Sequence, residues 1–169
     1  MALKADIRGM VWEYPDTFVV AREQIRAYAK SVKAHDPASF DEGAAAELGH
    51  DGIVASLTYV SILALIIQKH FFTHVDVGMD TMQIVQVDQK FVYHQPIKDG
   101  DVLRGTMYVV SVDQRFGADI VVTRNVCTNA RGEVVLEAFT TLMGHECDNS
   151  ISVKWDPETG EIMRKAVGE

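Results

Sequence analysis

The chain has 169 residues, 47% of them hydrophobic and only four of them proline, a composition suited to one globular domain with a substantial core. Its 16 basic and 24 acidic residues give a net charge of −8, which argues against non-specific binding to nucleic acid or to an anionic membrane. Two cysteines, Cys127 and Cys147, are too few for a disulfide framework and favour a reducing cytoplasm.

The first predicted elements are a short strand and two helices. Residues 17–20 (TFVV) are β-prone and predict the first strand. Apolar residues recur at helical spacing from Glu23 to Lys33, which predicts an amphipathic helix on the surface of the core. A second helix is predicted over residues 44–48 and should end at Gly49. The preceding stretch, residues 39–42 (SFDE), matches a capping box, which gives its serine a structural role at the start of that helix.

A third, central helix is predicted from Ser56 to about Phe71. This segment is apolar nearly all the way round, so other structure must enclose it. The longest apolar run, residues 53–67, is shorter than the ~20 residues that a membrane-spanning helix needs. We therefore expect no membrane insertion.

Four long β-rich segments follow the central helix. They cover residues 82–94, 102–112, 119–128 and 134–143, and Gly or Asn in the connections suits tight hairpins. Alternation in the first segment predicts one face with Val85, Val87, Phe91 and Tyr93 and another with Gln86, Asp88, Lys90 and His94.

The order of these elements predicts an α+β domain. A curved antiparallel sheet should wrap round the long central helix over residues 1–146. Residues 147–169 form a C-terminal extension, and a turn at residues 156–160 indicates a possible β-hairpin there.

The loop at residues 33–40 (KAHDPASF) resembles the signature loop of the MaoC-like (R)-specific hydratases and dehydratases, which have the hot-dog fold. The family pattern is close to G-D-x-N-P-[IL]-H, and Pro37 aligns with its proline. Asp36 then resembles the asparagine, whereas Ala34 stands at the position of the acid and Ser39 at that of the histidine. Phe91, Pro96, Gly100, Asp101 and Leu103 resemble the strand and turn that follow the central helix in this family, and the likeness covers about residues 10–145.

Three longer strings, residues 2–10, 82–89 and 116–125, resemble the HadC-type subunit of the mycolic-acid-pathway (3R)-hydroxyacyl-ACP dehydratase. In that family a HadB-type hot-dog subunit bears the catalytic Asp and His. The resemblance implies a non-catalytic, channel-forming subunit in type II fatty-acid elongation, with no cofactor. Its partners would be the catalytic subunit, in a heterodimer or heterotetramer, and an acyl carrier protein bearing a long acyl chain.

The chemistry agrees with the absence of catalysis on this chain. Dehydration needs a group that takes the C2 proton and one that protonates the leaving hydroxyl, a task suited to a histidine assisted by a carboxylate. Ala34 cannot do either, and Ser39 lacks a base to activate it. The expected substrate-channel residues, at the start of the central helix, are Ser56, Leu57, Thr58, Val60, Ser61 and Ala64. Leu57 stands where catalytic relatives have Gly, and the small residues fit either an acyl channel or ordinary core packing.

Two other functions stay open. The chain would be a self-sufficient enoyl thioester hydratase if His35 and Asp36 formed a relocated dyad in a homodimer. It would be a non-enzymatic acyl-binding scaffold if no catalytic subunit joined it. Lys69 and Lys90 are candidate contacts for the acidic carrier protein.

The remaining reactive residue types have structural interpretations. His70 and His74 have the i, i+4 spacing of metal ligands, but no third ligand lies nearby in sequence, so we predict no metal site. Cys127 lies in a β-prone segment and is interpreted as a packed thiol.

Overall fold

The computed structural model describes residues 5–77, 82–115, 117–146, 151–155 and 162–166. Its helices and strands, in chain order, are β1 (Val11–Glu13), β2 (Phe18–Val19), α1 (Arg22–Ser31), α2 (Glu42–Glu47), α3 (Ser61–His74), β3 (Met82–Tyr93), β4 (Val102–Arg115), β5 (Ala118–Thr128), β6 (Val134–Glu146), β7 (Ile151–Trp155) and β8 (Ile162–Ala166). Short 3₁₀ turns lie at Ala5–Ile7 and Pro37–Ser39.

An antiparallel sheet forms the larger part of the fold. Its strands lie in the order β1-β4-β5-β6-β3, and β2 pairs with the start of β4. Tight hairpins connect β4, β5 and β6, which pair along most of their lengths. Strands β7 and β8 form a separate antiparallel pair, with Ile151 opposite Ala166. The turn predicted at residues 156–160 lies outside the described residues.

Helix α3 lies against the sheet and supplies the centre of the core. Leu63, Ile67 and Phe71 are four residues apart, share one helix face and are at most 1% exposed. The sheet residues that join them in the buried cluster include Met107, Val109, Leu136 and Ala138. The predicted α+β architecture is thus confirmed. Within the described part of the chain, no helix has the length and apolarity to span a membrane.

The opposite side of α3 is not covered by the residues that the structure describes. Leu65 projects there and is 66% exposed, in the middle of a helix that the sequence predicts to be enclosed. Within a single chain that prediction is wrong for this side of the helix.

Helix α3 approaches the sheet closely at Gly105 of β4. A Cβ atom added there would lie 2.2 Å from Cδ1 and 3.1 Å from Cγ1 of Ile67. Because Ile67 is fully buried, its side chain could make room for a methyl group only by displacing the core residues packed around it. Glycine is therefore required so that the helix can approach the strand.

The central helix begins later than the sequence predicts. Ser61, rather than Ser56, is its first residue, and the four residues before it form a turn. In this turn Tyr59 N–H donates to Ser56 O and Ser61 N–H donates to Thr58 O. These bonds span three residues instead of the four of an α-helix, so the apolar run enters the helix through a tighter turn.

A bulge in β3 changes which of its residues face α3. Gln86 pairs with Leu142 and Asp88 pairs with Thr141, so Val87 has no direct partner on β6. An extra residue of this kind shifts the alternation of the strand by one position.

The predicted faces of this strand are consequently wrong before the bulge and right after it, where Phe91 and Tyr93 pack against the core and Lys90 is exposed. Before the bulge Gln86 lies on the same face as the buried Leu142, and after it Gln89 lies opposite the buried Thr140. Val85 and Val87, predicted to face the core, are 52% and 50% exposed. The bulge therefore directs two glutamines toward the helix and two valines toward solvent.

Replacement of Gly105 by Ala should lower the free energy of unfolding by about 1–3 kcal/mol, because the new methyl group overlaps Ile67. Urea denaturation measures the change. Gly52→Ala is the matched control, since its Cβ would meet no atom closer than 3.7 Å. Equal effects of the two substitutions would contradict the contact.

Candidate functional site

The loop between α1 and α2 keeps a defined shape without catalytic groups. Lys33 adopts a left-handed conformation with φ of 55°, and Ala34 N–H donates to Ala29 O. Asp36 Oδ1 then accepts from Ala38 N–H at 3.0 Å, capping the 3₁₀ turn that contains Pro37. These contacts give Asp36 a structural role.

Ser39 is turned into the protein. It is 2% exposed, and its Oγ donates to Val54 O at 2.7 Å. The predicted capping role at α2 is wrong, because Asp41 stands directly before that helix and its Oδ1 accepts from Ala44 N–H at 2.8 Å. Ser39 instead ties the loop to the segment that leads into α3.

The two positions that the family resemblance assigns to the acid and the base, Ala34 and Ser39, hold no titratable group. Ala34 is half-buried and carries a methyl group only. His35 and Asp36 are both exposed, and among the described residues His35 has no hydrogen-bond partner. The geometry needed for a dyad, a hydrogen bond between His35 and a carboxylate, is not formed.

Two tyrosines hold the turn before α3. Tyr28 Oη donates to Thr58 O at 2.8 Å, and Tyr93 Oη donates to Leu57 O. Burial raises the pKa of Tyr93 to about 12, so its hydroxyl remains a donor at neutral pH. The side chain of Leu57 is 71% exposed beside these contacts. The turn thus presents an exposed leucine at the position where the family resemblance leads us to expect a glycine.

The predicted channel residues are divided between three environments. Leu57 and Thr58 are exposed and Val60 is buried in the core. Ser56 Oγ is buried and has no hydrogen-bond partner among the described residues. Ser61 and Ala64 line a cavity beside β3. That cavity, of about 190 Å³, is bounded by Ser61, Ala64, Leu65, Gln68, Gln86 and Gln89.

A row of polar side chains on the inner face of the sheet was not predicted from the sequence. Thr123, Asn125 and Thr140 are fully buried. Thr140 Oγ1 donates to Gln89 Oε1 at 2.9 Å, and Gln89 Nε2 donates to Phe139 O at 2.9 Å. The Thr123 hydroxyl and the Asn125 amide have no partner within the described residues. Thr123 and Asn125 alternate along β5 in the same positions as its buried apolar residues. This alternation is the sequence pattern that could have predicted their burial.

The histidine pair at the end of α3 is engaged in packing. The rings of His70 and His74 stack with centroids 4.0 Å apart, and Trp12 Nε1 donates to His70 Nδ1 at 3.1 Å. His70 Nδ1 is therefore an acceptor already in use. In the part of the chain that the structure describes, no cluster of three or more His, Cys, Asp or Glu residues is arranged to hold a metal ion.

A larger cleft of about 340 Å³ lies between the β3–β4 connection and the β5–β6 turn. Its charges are compensated within the chain. Lys98 forms an ion pair with Asp51, and Arg131 pairs with Glu133 at 2.7 Å. The pairing with Arg131 lowers the pKa of Glu133 to about 2. This cleft offers an exposed polar surface and no free catalytic group.

Comparison with known proteins identifies the family. A family model described as FAS1-like, dehydratase domain region, matches residues 7–138. UPF0336 protein Rv0637 from Mycobacterium tuberculosis (strain ATCC 25618 / H37Rv) is 61% identical over 166 residues, which cover 98% of this chain and 100% of that protein. UPF0336 protein Rv0635 from the same strain is 45% identical over 144 residues, or 85% of this chain and 91% of that protein.

Solved structures agree with this assignment. A MaoC-like dehydratase superposes with a TM-score of 0.79 at 34% identity, covering 86% of this chain and 44% of its own. The chain belongs to the FAS1-like dehydratase family whose model matches residues 7–138. A chain of the C-terminally truncated HadBC (3R-hydroxyacyl-ACP dehydratase) complex from Mycobacterium tuberculosis is 61% identical, with a TM-score of 0.79 and coverage of 84% of this chain and 100% of that one. The predicted hot-dog fold is confirmed, and the general activity of the family is that of a hydro-lyase.

Ser39→Ala should lower the free energy of unfolding by about 1–3 kcal/mol, because the substitution leaves the Val54 carbonyl without its donor. Thermal or urea denaturation checks this value. Ser31→Ala removes an exposed hydroxyl that bonds within α1, and its effect should stay below about 0.5 kcal/mol. A neutral Ser39→Ala substitution would contradict the structural role.

Cys127 should resist alkylation in the folded protein. Burial raises the pKa of its thiol to about 12, so at pH 8 the thiol is protonated as well as inaccessible. We expect iodoacetamide to leave the Cys127 peptide unmodified in buffer and to alkylate it in urea, as measured by peptide mass spectrometry. Rapid labelling of the native protein would show that the strand around Cys127 is open.

Proposed function

We propose that this chain is the non-catalytic, HadC-type subunit of a heteromeric (3R)-hydroxyacyl-ACP dehydratase. It acts in type II fatty-acid elongation in the cytoplasm, on the pathway to mycolic acids. A HadB-type hot-dog subunit supplies the catalytic Asp and His, in a heterodimer or heterotetramer. The similarity to a chain of the HadBC complex supports a partner subunit.

The observation that carries the proposal is the state of the loop at residues 33–40. Ala34 has no proton to exchange, and the buried hydroxyl of Ser39 is committed to Val54 O. The hydroxyl therefore has no base to activate it and no access to a substrate. The loop retains its turn and its connection to the α3 segment, which are the functions of a scaffold.

The partner surface is proposed at the free edge of the sheet. β3 ends the strand order, so among the described strands one of its edges is unpaired. Val85 and Val87 on this strand are exposed, as is Leu65 on the neighbouring side of α3. Exposed apolar side chains at an open edge favour a protein partner over solvent.

We propose that the acyl chain runs along the beginning of α3. Ser61 and Ala64 line the cavity beside β3, and Ser56 Oγ is a buried group without a partner near the start of this path. Leu57 and Thr58 form the exposed entrance, and Val60 supports it from the core. The acyl carrier protein remains outside, where the exposed Lys69 and Lys90 are candidate contacts.

In this proposal residues 1–146 form the working hot-dog domain, and residues 147–169 are an extension. The truncated HadBC chain matches 84% of this chain over its whole length, which supports a core that is complete without the C-terminal residues.

The decisive experiment assays this chain with the second chain of the Mycobacterium tuberculosis HadBC complex. Hydration of trans-2-enoyl thioesters of increasing length is followed for each chain alone and for the pair. We expect no turnover by this chain alone and a gain for the pair that grows with acyl length, because this chain extends the channel.

The control is His35→Ala, which should leave the activity of the pair unchanged because His35 is exposed and unpaired. Turnover by the isolated chain that is lost in His35→Ala would instead identify a self-sufficient hydratase. Pairing without any gain in turnover would identify a non-enzymatic scaffold.

A further inference from the structure

Two polar side chains of β5 lie in the core without a protein partner. Asn125 and Thr123 are both 0% exposed. Among the described residues, neither atom of the Asn125 amide nor the Thr123 hydroxyl has a hydrogen-bond partner. Buried amides and hydroxyls are nearly always bonded, either to protein or to ordered water. Three such atoms at neighbouring positions of one strand face therefore indicate a common ligand.

The direct neighbours of Asn125 on the sheet cannot satisfy its amide. Asn125 stands opposite Met107 on β4 and Ala138 on β6, both of which are fully buried. Neither side chain carries an N–H or O–H donor or an oxygen acceptor. Thr123, two positions away on the same side of β5, stands opposite Thr140 on β6. A polar group is thus available beside the amide, but not directly across from it.

Thr140 supplies hydrogen-bonding capacity beside these two residues. Its Oγ1 donates to Gln89 Oε1 at 2.9 Å, which leaves the lone pairs of the hydroxyl oxygen able to accept. Residues directly opposite in such a ladder have Cβ atoms about 5 Å apart, and diagonal neighbours about 7 Å. Neither Asn125 nor Thr123 bonds Thr140 directly. At these separations one small molecule between the three side chains can contact all of them.

We propose that Asn125, Thr123 and Thr140 bind an ordered water molecule inside the core, beneath α3. A water donates twice and also accepts, so it serves an amide and two hydroxyls together, and buried waters typically have about three partners. The residues paired with Asn125 and Thr123 on β4 and β6 are uncharged, so an ion would be buried there without a counter-charge. The site is independent of the proposed function, because it concerns the core of this chain alone.

The bound water extends a polar network across three strands. Gln89 of β3 and Thr140 of β6 are already joined by a hydrogen bond, and the water adds β5. Because the surrounding inner face is otherwise apolar, these bonds act where bulk solvent does not compete. The water therefore helps to hold β5, β6 and β3 in register under the central helix.

Thr123→Val tests the proposal by the sign of its effect, because valine keeps the shape of threonine and lacks the hydroxyl. With water bound, the substitution removes one of its partners, and we expect the midpoint of thermal unfolding to fall by about 3 °C. At a dry site the midpoint would instead rise, since the unpaired hydroxyl would no longer be desolvated. A rise, or no change, overturns the proposal.

Thr141→Val is the matched control. Thr141 follows Thr140 on β6 but lies on the opposite, outer face of the sheet, where it is half-buried. Its substitution should leave the midpoint within about 1 °C of the original value. An equal fall in both variants also overturns the proposal, because a general effect of replacing threonine by valine in this sheet would then be sufficient.

Direct detection on the unmodified chain covers the case in which a variant fails to fold. In the full-length ¹⁵N-labelled chain, free or with its partner subunit, the side-chain NH₂ signals of Asn125 should show NMR cross-peaks to a long-lived water. The amide of Gln114, which is exposed on β4, should show short-lived contacts instead. Asn125 signals without a long-lived water contact in the folded chain reject the inference.

Discussion

The contact between Ile67 of α3 and Gly105 of β4 is the constraint on which the rest of the structure depends. It fixes the distance between the helix and the sheet at the middle of the core. One side of α3 is thereby committed to the inner face of the sheet, where Leu63 and Phe71 are also buried. The other side, with Leu65 at its centre, remains outside the chain's own core. Because α3 packs against β4 at Gly105, one side of this apolar helix is internal and the other side is external.

The sequence was sufficient for the fold class because the signals for it are local and long. Four alternating segments and one uniformly apolar segment predict a sheet against a helix, and the strands β4, β5 and β6 occur where they were expected. Two details depended on distant residues. The start of α3 is delayed by a turn whose carbonyls bond Tyr28 and Tyr93. The phase of β3 depends on its pairing with β6, which no pattern within β3 reveals.

In the candidate site, too, some features could be predicted from local sequence and others depended on distant residues. The resemblance of the loop alone is sufficient to expect no acid at Ala34 and no histidine at Ser39. The partner of Ser39 could not be predicted, because a serine three residues before a glutamate satisfies a local capping motif while Asp41 lies closer to the helix. The hydrogen bond that Ser39 actually makes crosses to Val54, fifteen residues along the chain. The hydrogen bonding of buried polar residues such as Gln68 and Asn125 could not be predicted in this way. Hydrophobic periodicity identifies the buried face of a helix or strand, but it does not show which hydrogen bonds the polar residues on that face form.

The bulge at Val87 has a consequence for how this strand is compared between relatives. Both ends of β3 pair with β6, and the register between the two strands shifts by one residue at Val87. A protein that lacked this residue, or had a second one, would exchange its solvent and helix sides over half the strand even if every other residue were the same. Residue-by-residue correspondence along β3 therefore carries meaning only when the hydrogen-bonding partners on β6 are matched first.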